Sequence, residues 1–302
     1  MALDERGASR LSTASTAEGA ALQRAIGTQD RDPAVRNPDH LAIEFVGGGL
    51  RLPAFVKVPG LRRLGPRILE RIVPGSLAFE VARTKHLDTV VREEVAAGIA
   101  QLVFLGAGYE TRPYRLQTEL APVAIYEVDI PAMSEIKQRK IAQIVGPPPP
   151  NVTYVQIDFT REDLGERLAA HGHDTGRPTL YVWSGVAPYL PPEAVAAVLD
   201  FVGGHASPET SIVFDYLHQE VLDGERPYGA EELMTAVAKM GEPFRFGIPR
   251  GGTAAFLAAH GLRLESDLGA AEAVPRYLTR ADGSTLGPMW EFGGFAHARV
   301  AA

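Results

Sequence analysis

Two carboxylates and a glycine turn are the residues in this chain best placed to do chemistry. The apolar run Leu102-Val103-Phe104-Leu105 ends in Gly106-Ala107-Gly108, and a later apolar run closes on Glu127 and Asp129. The pattern is a buried strand, a turn whose glycines let backbone N–H groups approach a ligand, and a second strand delivering a carboxylate about twenty residues on. Such a carboxylate accepts hydrogen bonds from ribose hydroxyls, so the arrangement suits an adenosine-containing cofactor. The third glycine of the dinucleotide fingerprint is missing, and Thr111 stands in its place. A pyrophosphate needs that glycine for close helix packing. A cofactor without phosphates does not, and S-adenosylmethionine fits the loop better than NAD.

Other chemistries find less support. The chain has no cysteine, which excludes disulfides, thiolate metal sites and a cysteine nucleophile. Its eight histidines show neither H-x-x-x-H nor H-E-x-x-H spacing, so no metal site is expected. No serine lies in a G-x-S-x-G elbow. A formal net charge of -7 without a Lys/Arg run argues against a nucleic-acid partner. With 45% hydrophobic and 22% charged residues the composition is that of a globular protein. The start Met1-Ala2-Leu3-Asp4-Glu5-Arg6 has no signal-peptide character and no window is long and apolar enough for a membrane span. A cytoplasmic protein without membrane contact is the expectation; its oligomeric state is not legible.

Several elements must position these residues. Residues 1–15 are small and polar and read as frayed, with Thr16 capping a helix that runs through Ala20, Leu22 and Ile26. Gly47-Gly48-Gly49 reads as a joint, and 61–73 and 76–97 as helices. From 101 onward the spacing predicts strands at 101–106, 123–129, 152–158, 179–184, 211–216, 262–268 and 292–300. Helices are predicted at 131–145, 160–171, 191–203, 230–240 and 251–260, with Thr160 capping the second. Continuous apolar strands alternating with helices imply a doubly wound α/β sheet, covered on both faces, that binds ligands at the carboxyl ends of its strands. The chain accordingly divides into a helical region at 1–100 and a cofactor-binding domain at 101–302. The first, with Phe45 and Phe55 reading as exposed aromatics, suits a lid over an acceptor.

Read together, the strand ends form a larger pattern. Ala82-Arg83-Thr84-Lys85-His86-Leu87-Asp88 precedes Leu105-Gly106-Ala107-Gly108-Tyr109-Glu110-Thr111-Arg112-Pro113-Tyr114-Arg115. Tyr126-Glu127-Val128-Asp129-Ile130-Pro131, Gln156-Ile157-Asp158-Phe159 and Trp183-Ser184-Gly185-Val186-Ala187-Pro188-Tyr189-Leu190 follow. In this order the chain resembles the leucine carboxyl methyltransferase family, over roughly 80–220, and more closely its bacterial branch of natural-product O-methyltransferases. The resemblance implies a Rossmann-like class I methyltransferase sheet of seven strands and S-adenosylmethionine as cofactor. It implies that Arg83 pairs with the methionine carboxylate, that Gly106 and Gly108 lie under the cofactor, and that Asp129 holds the ribose. Asp158 would accept from the adenine amino group, with Phe159 beside the ring. The family usually carries a glutamate where this chain has Ser184, which removes a carboxylate beside the donor methyl; Ser184 or a water would take over its hydrogen bonds.

Each assignment competes with a plainer one. Gly106 and Gly108 could be an ordinary strand-to-helix turn, Asp129 a cap before Pro131, and Arg83 a salt-bridged arginine. Glu80 and His86 read as ordinary surface or capping residues. Tyr189, Tyr216 and His218 lie just past strands four and five, where an acceptor should sit, though each also suits packing or a helix surface. No residue stands out as a catalytic base, and His218 is the best placed. An ionised carboxylate acceptor needs no base, whereas a phenol with pKa near 10 gains from one. The reading is therefore methyl transfer to a carboxylate of a small molecule or peptide, with a phenolic or hydroxyl acceptor as the alternative. A nicotinamide oxidoreductase and a non-catalytic binding protein rank below both.

Overall fold

A computed structural model describes residues 5–47, 64–158 and 162–301, with side chains from Thr16 onward. Gly48, Gly49, Phe55, Phe159 and Thr160 lie outside the described residues. The chain divides into two compact units, neither continuous in sequence: Met1–His86, Gly224–Phe244 and Leu268–Gly293 form one, and Leu87–Asp223, Arg245–Asp267 and Gly294–Ala302 the other.

Among the described residues the main helices and strands follow in chain order. They are α1 (Glu5–Gly27), α2 (Gly65–Ile72), α3 (Ser76–Ala96), β1 (Gln101–Leu105), β2 (Ala124–Asp129), α4 (Pro131–Ile144), β3 (Val152–Gln156), α5 (Leu164–Ala170) and β4 (Thr179–Trp183). Then come α6 (Pro192–Gly203), β5 (Ser211–Leu217), α7 (Ala230–Lys239), α8 (Thr253–Ala258), β6 (Leu262–Leu268), α9 (Ala270–Tyr277) and β7 (Gly293–Val300). The seven strands form one mixed sheet in the order β3-β2-β1-β4-β5-β7-β6. β1 runs parallel to β2 and to β4, β2 to β3 and β4 to β5.

Strand alternation sorts side chains onto two faces. Val103, Leu105, Tyr181, Trp183, Ile212 and Phe214 join one buried cluster. Leu102, Phe104, Leu180, Val182 and Val213 join the other. Both faces of the inner strands are thus apolar, and every residue of β1, β4 and β5 is buried.

The seven strands lie where the apolar runs place them, and the differences concern helices. The segment read as frayed is already helical from Glu5, with no proline between there and Gly27. Thr16 is therefore internal to α1 and its hydroxyl bonds the Glu242 carboxylate. Tertiary partners outweigh the capping preference of a threonine. Phe45, read as exposed, is fully buried in a one-turn helix (Ala42–Phe45) against α1. α5 starts at Leu164, and its cap is Asp163, whose carboxylate accepts the Glu166 N–H at 2.8 Å. α9 was not foreseen because Pro275 lies inside it.

A buried aromatic and imidazole cluster sits on one face of the sheet. Tyr181 Oη lies 2.8 Å from His205 Nε2 and 3.1 Å from His173 Nε2. His205 Nδ1 lies 2.9 Å from the Phe201 carbonyl, which can only accept. His205 therefore carries its proton on Nδ1 and takes the Tyr181 hydroxyl at Nε2, leaving His173 to donate to that oxygen. Burial, reinforced by His205, holds the His173 imidazole down at about 4, and burial also lowers His205. An unfolded histidine binds its proton near pH 6.5. Between pH 6.5 and 4 the unfolded chain therefore binds more protons at this position, and stability falls as pH falls. Chemical denaturation from pH 7 to 4 should show a loss on the order of 3 kcal/mol from His173, absent in His173→Gln; parallel pH profiles for the two proteins would contradict this.

Candidate functional site

The glycine turn belongs to the sheet-bearing unit. Gly106 has φ +62° and Gly108 φ +40°, a region side chains other than glycine rarely enter. At Gly106 a Cβ would lie 2.5 Å from Cγ2 of Val186, on the segment after β4. The turn thus packs its backbone directly against the end of the neighbouring strand. Gly108 N–H donates to Asp129 Oδ2 at 2.5 Å, and Ile130 N–H donates to Oδ1 at 2.7 Å. Asp129 is 8% exposed; burial pushes its carboxyl up against the pull of these two N–H groups.

Glu127, one pleat earlier on the same face, is 1% exposed. It is paired with Lys137 Nζ of α4 at 2.7 Å and accepts the Tyr114 hydroxyl at 3.0 Å. Lys137 Nζ also lies 3.5 Å from the Ala107 carbonyl, so one ammonium spans α4, β2 and the glycine turn. A second buried cluster fixes the chain after the turn. Asp88 of α3 takes Arg112 Nε at 2.7 Å and Arg115 Nη1 at 2.6 Å. Glu110 takes Arg112 Nη1 at 2.5 Å and accepts the N–H groups of Thr111 and Arg112, each at 2.8 Å. Burial raises the Glu110 carboxyl, but the Arg112 guanidinium, the Arg112 N–H and the Arg115 and Lys137 charges together outweigh it and hold the group at about 2. Sequence reading missed both clusters, although Asp88 and Arg112 stand inside the motifs it singled out.

The other candidates fall into different settings. Arg83 belongs to the other unit, where it bonds the Glu80 carboxylate and lies 5.8 Å over the Phe79 ring. Glu80 and His86, read as surface residues, are 4% and 2% exposed. Glu80 also lies 3.7 Å from Arg24, and His86 Nδ1 3.1 Å from the Tyr277 hydroxyl; these burying partners are remote in sequence. Asp158 follows β3 and is half-buried, its N–H bonded to Glu162 at 2.7 Å. Tyr189 is half-buried in a short turn of helix, Ala187–Tyr189. Tyr216 is buried: it donates to the Asp267 carboxylate at 2.9 Å and accepts from Thr253 at 3.0 Å. His218 opens a one-turn helix and takes Arg250 Nε at Nδ1, 3.4 Å away.

Ser184 is half-buried just after β4. Asp215 of β5 is 5% exposed and accepts the Gly185 N–H at 2.6 Å. Asp215 interrupts the apolar run of β5 near its carboxyl end just as Glu127 does in β2, and that was the available signal.

A sheet in this strand order, with a glycine turn after its first strand and an acidic residue closing the second, is the fold of the class I S-adenosylmethionine-dependent methyltransferases. The donor set fits that cofactor: a carboxylate for ribose hydroxyls and a turn that presents backbone without side chains. The sequence model for leucine carboxyl methyltransferase matches residues 17–203. A Mycolicibacterium paratuberculosis protein, named as a candidate S-adenosyl-L-methionine-dependent methyltransferase, is 31% identical over 83% of this chain and 81% of its own length. A Frankia alni protein so named is 34% identical over 62% of this chain and 63% of its own, so the match spans just under two thirds of that relative. A crystal structure of a candidate methyltransferase from Thermobifida fusca shares the fold at TM-score 0.58 and 19% identity, covering 81% of this chain and 90% of that one. The chain belongs to the leucine carboxyl methyltransferase family.

The close approach at Gly106 is directly testable. Gly106→Ala incurs both the positive-φ penalty, about 1–2 kcal/mol, and the clash with Val186. Urea denaturation should show Gly106→Ala destabilised by more than that penalty, with Val186→Ala in the same chain recovering part of the loss. Equal stability of Gly106→Ala and wild type would refute the packing.

Proposed function

We propose that this protein transfers the methyl group of S-adenosylmethionine to a carboxylate of a small-molecule or peptide acceptor in secondary metabolism, forming a methyl ester. Bound S-adenosylmethionine supplies a methyl carbon activated by its sulfonium leaving group. In this reading Asp129 accepts from the ribose hydroxyls, its carboxylate aimed by the Gly108 and Ile130 N–H groups. Gly106 and Gly108 let the backbone approach the cofactor, Asp158 and Phe159 take the adenine, and Arg83 pairs with the methionine carboxylate through its planar fork. The N-terminal helical region would serve as a cover that selects the acceptor and excludes water.

One observation favours a carboxylate over a phenol. At the end of β5 the sequence candidate for a base is not set as one: His218 Nδ1 is engaged by Arg250, and nearby Tyr216 already donates to Asp267. With its Nδ1 lone pair so used, neutral His218 carries its proton on Nε2. A carboxylate is already ionised at neutral pH and has only to be aligned with the methyl carbon, whereas a phenol must first lose a proton.

Alkali separates the two products. With methyl-labelled S-adenosylmethionine and a panel of hydrophobic carboxylic acids and phenols, the labelled product should release volatile methanol in base, the signature of an ester. Base-stable label on phenols alone would replace the carboxylate reading with the phenolic one. Binding of NADH in place of S-adenosylmethionine would overturn the reading altogether.

A further inference from the structure

α2 departs from the usual helix of a globular protein, which turns an apolar stripe to the core. Of its eight residues only Gly65 is buried, and Gly65 meets α1 beside Ile26. A contact made through a glycine covers little of the helix. Ile68 is half-buried, Ile72 is 51% exposed, and Leu64, the residue before the helix, is 41% exposed. Spaced four residues apart, these three side chains form one stripe. Arg67 and Arg71, also four apart, form the stripe beside it; both are exposed, and among the described residues neither is ion-paired. Glu70, the only acid in the helix, accepts the Gly75 N–H at 3.2 Å and the Tyr228 hydroxyl. The second bond holds Tyr228, 51% exposed, against the helix. All of these residues belong to one of the two compact units.

Apolar exposure and positive charge are both concentrated here. Among the described residues the exposed large apolar side chains are Leu64, Ile72, Val145 and Tyr228, and all but Val145 lie on or against α2. Single exposed aliphatics are ordinary, whereas a cluster rimmed by polar groups marks an interaction surface. In the sequence no Asp or Glu stands between Glu44 and Glu70, while five Arg or Lys do, in a chain of net charge -7. A partner for this face must offer negative charge and hydrocarbon within one side-chain length of each other. The boundary of an anionic bilayer does so: arginine stems lie along acyl chains with their guanidinium groups at the phosphates, and tyrosine favours the same depth. An acidic polypeptide offers the charge without the continuous apolar layer.

We propose that the outer face of α2, with Tyr228 beside it, docks this protein on the surface of an anionic phospholipid bilayer, the helix lying in the plane of the interface. An interfacial helix needs no spanning length, and no helix among the described residues is long and apolar enough to cross a membrane. The expectation of no membrane contact is thereby narrowed to no membrane-spanning helix. Two arginines and a few apolar side chains make a weak attachment that salt reverses. The docking face is independent of the methyl-transfer reading.

Co-sedimentation of the full chain with vesicles tests the proposal. The protein should pellet with vesicles of one part phosphatidylglycerol to three of phosphatidylcholine at low salt, stay in solution with phosphatidylcholine alone, and be released from the anionic vesicles by added salt. Arg67→Gln with Arg71→Gln should lower partition about thirtyfold, since each basic residue near an anionic surface contributes about fivefold. A second variant, Leu64→Ser with Ile72→Ser, should lower it severalfold while leaving its salt dependence in place. All four positions are exposed, and circular dichroism should show both variants folded; either folded variant suffices for the comparison. Failure of the wild type to bind the anionic vesicles overturns the proposal, as does equal binding to both kinds of vesicle. Undiminished binding by a folded variant shows that another surface is responsible and overturns it too. Binding to polyglutamate but not to vesicles would replace the bilayer with an acidic protein partner.

Discussion

The site is organised by the burial of two carboxylates, two residues apart, at the end of β2. Left uncompensated, each would cost several kcal/mol and would shed its charge. They are compensated differently. Glu127 has an ammonium and a phenol hydroxyl, so its charge is spent inside the protein. Among the described residues, the hydrogen bonds to Asp129 come from backbone N–H groups, those of Gly108 and Ile130. Two N–H dipoles orient the carboxylate without pairing it to an ammonium, the setting that the proposed ribose contact calls for. The same strand thus provides an acid paired with an ammonium and an acid held by backbone N–H groups, distinguished by what α4 and the glycine turn present to each.

This arrangement constrains its surroundings. Gly108 can aim its N–H at Asp129 only because the turn takes positive φ, and Gly106 can lie against Val186 only without a Cβ. Lys137 joins α4 to Glu127 and approaches the Ala107 carbonyl, so the turn is held from the helix side as well. Downstream, the Asp88, Glu110, Arg112 and Arg115 cluster pins the short helix after the turn to α3. Ion pairs this deeply buried contribute little net stability against an apolar replacement, yet removing one partner strands the others. Their contribution here is a fixed backbone path between Gly106 and Arg115.

Much of this was legible in the sequence. The strands appear as continuous apolar runs because parallel strands covered on both faces need no polar side. Gly106, Gly108 and Asp129 were legible because a glycine turn followed by an acidic strand end is a local pattern. What was not legible depended on partners far away in the chain. Phe45 read as exposed because its neighbours in space were unknown, and Glu80 and His86 read as surface because Arg24 and Tyr277 are distant. The neighbourhood of Ser184 and Asp215 was not legible because the register bringing β5 alongside β4 exists only in the folded sheet. The start of α1 was misjudged for a related reason: short polar residues favour caps and frayed ends until tertiary contacts hold them in a helix.

The central claim is that Asp129, aimed by the glycine turn, binds the cofactor. Calorimetric titration of S-adenosylmethionine into wild type and Asp129→Ala tests it most directly, with circular dichroism confirming that the variant is folded. The account predicts a roughly ten- to hundredfold loss of affinity, as expected for a lost buried charged hydrogen bond. A folded Asp129→Ala protein with wild-type affinity would contradict it.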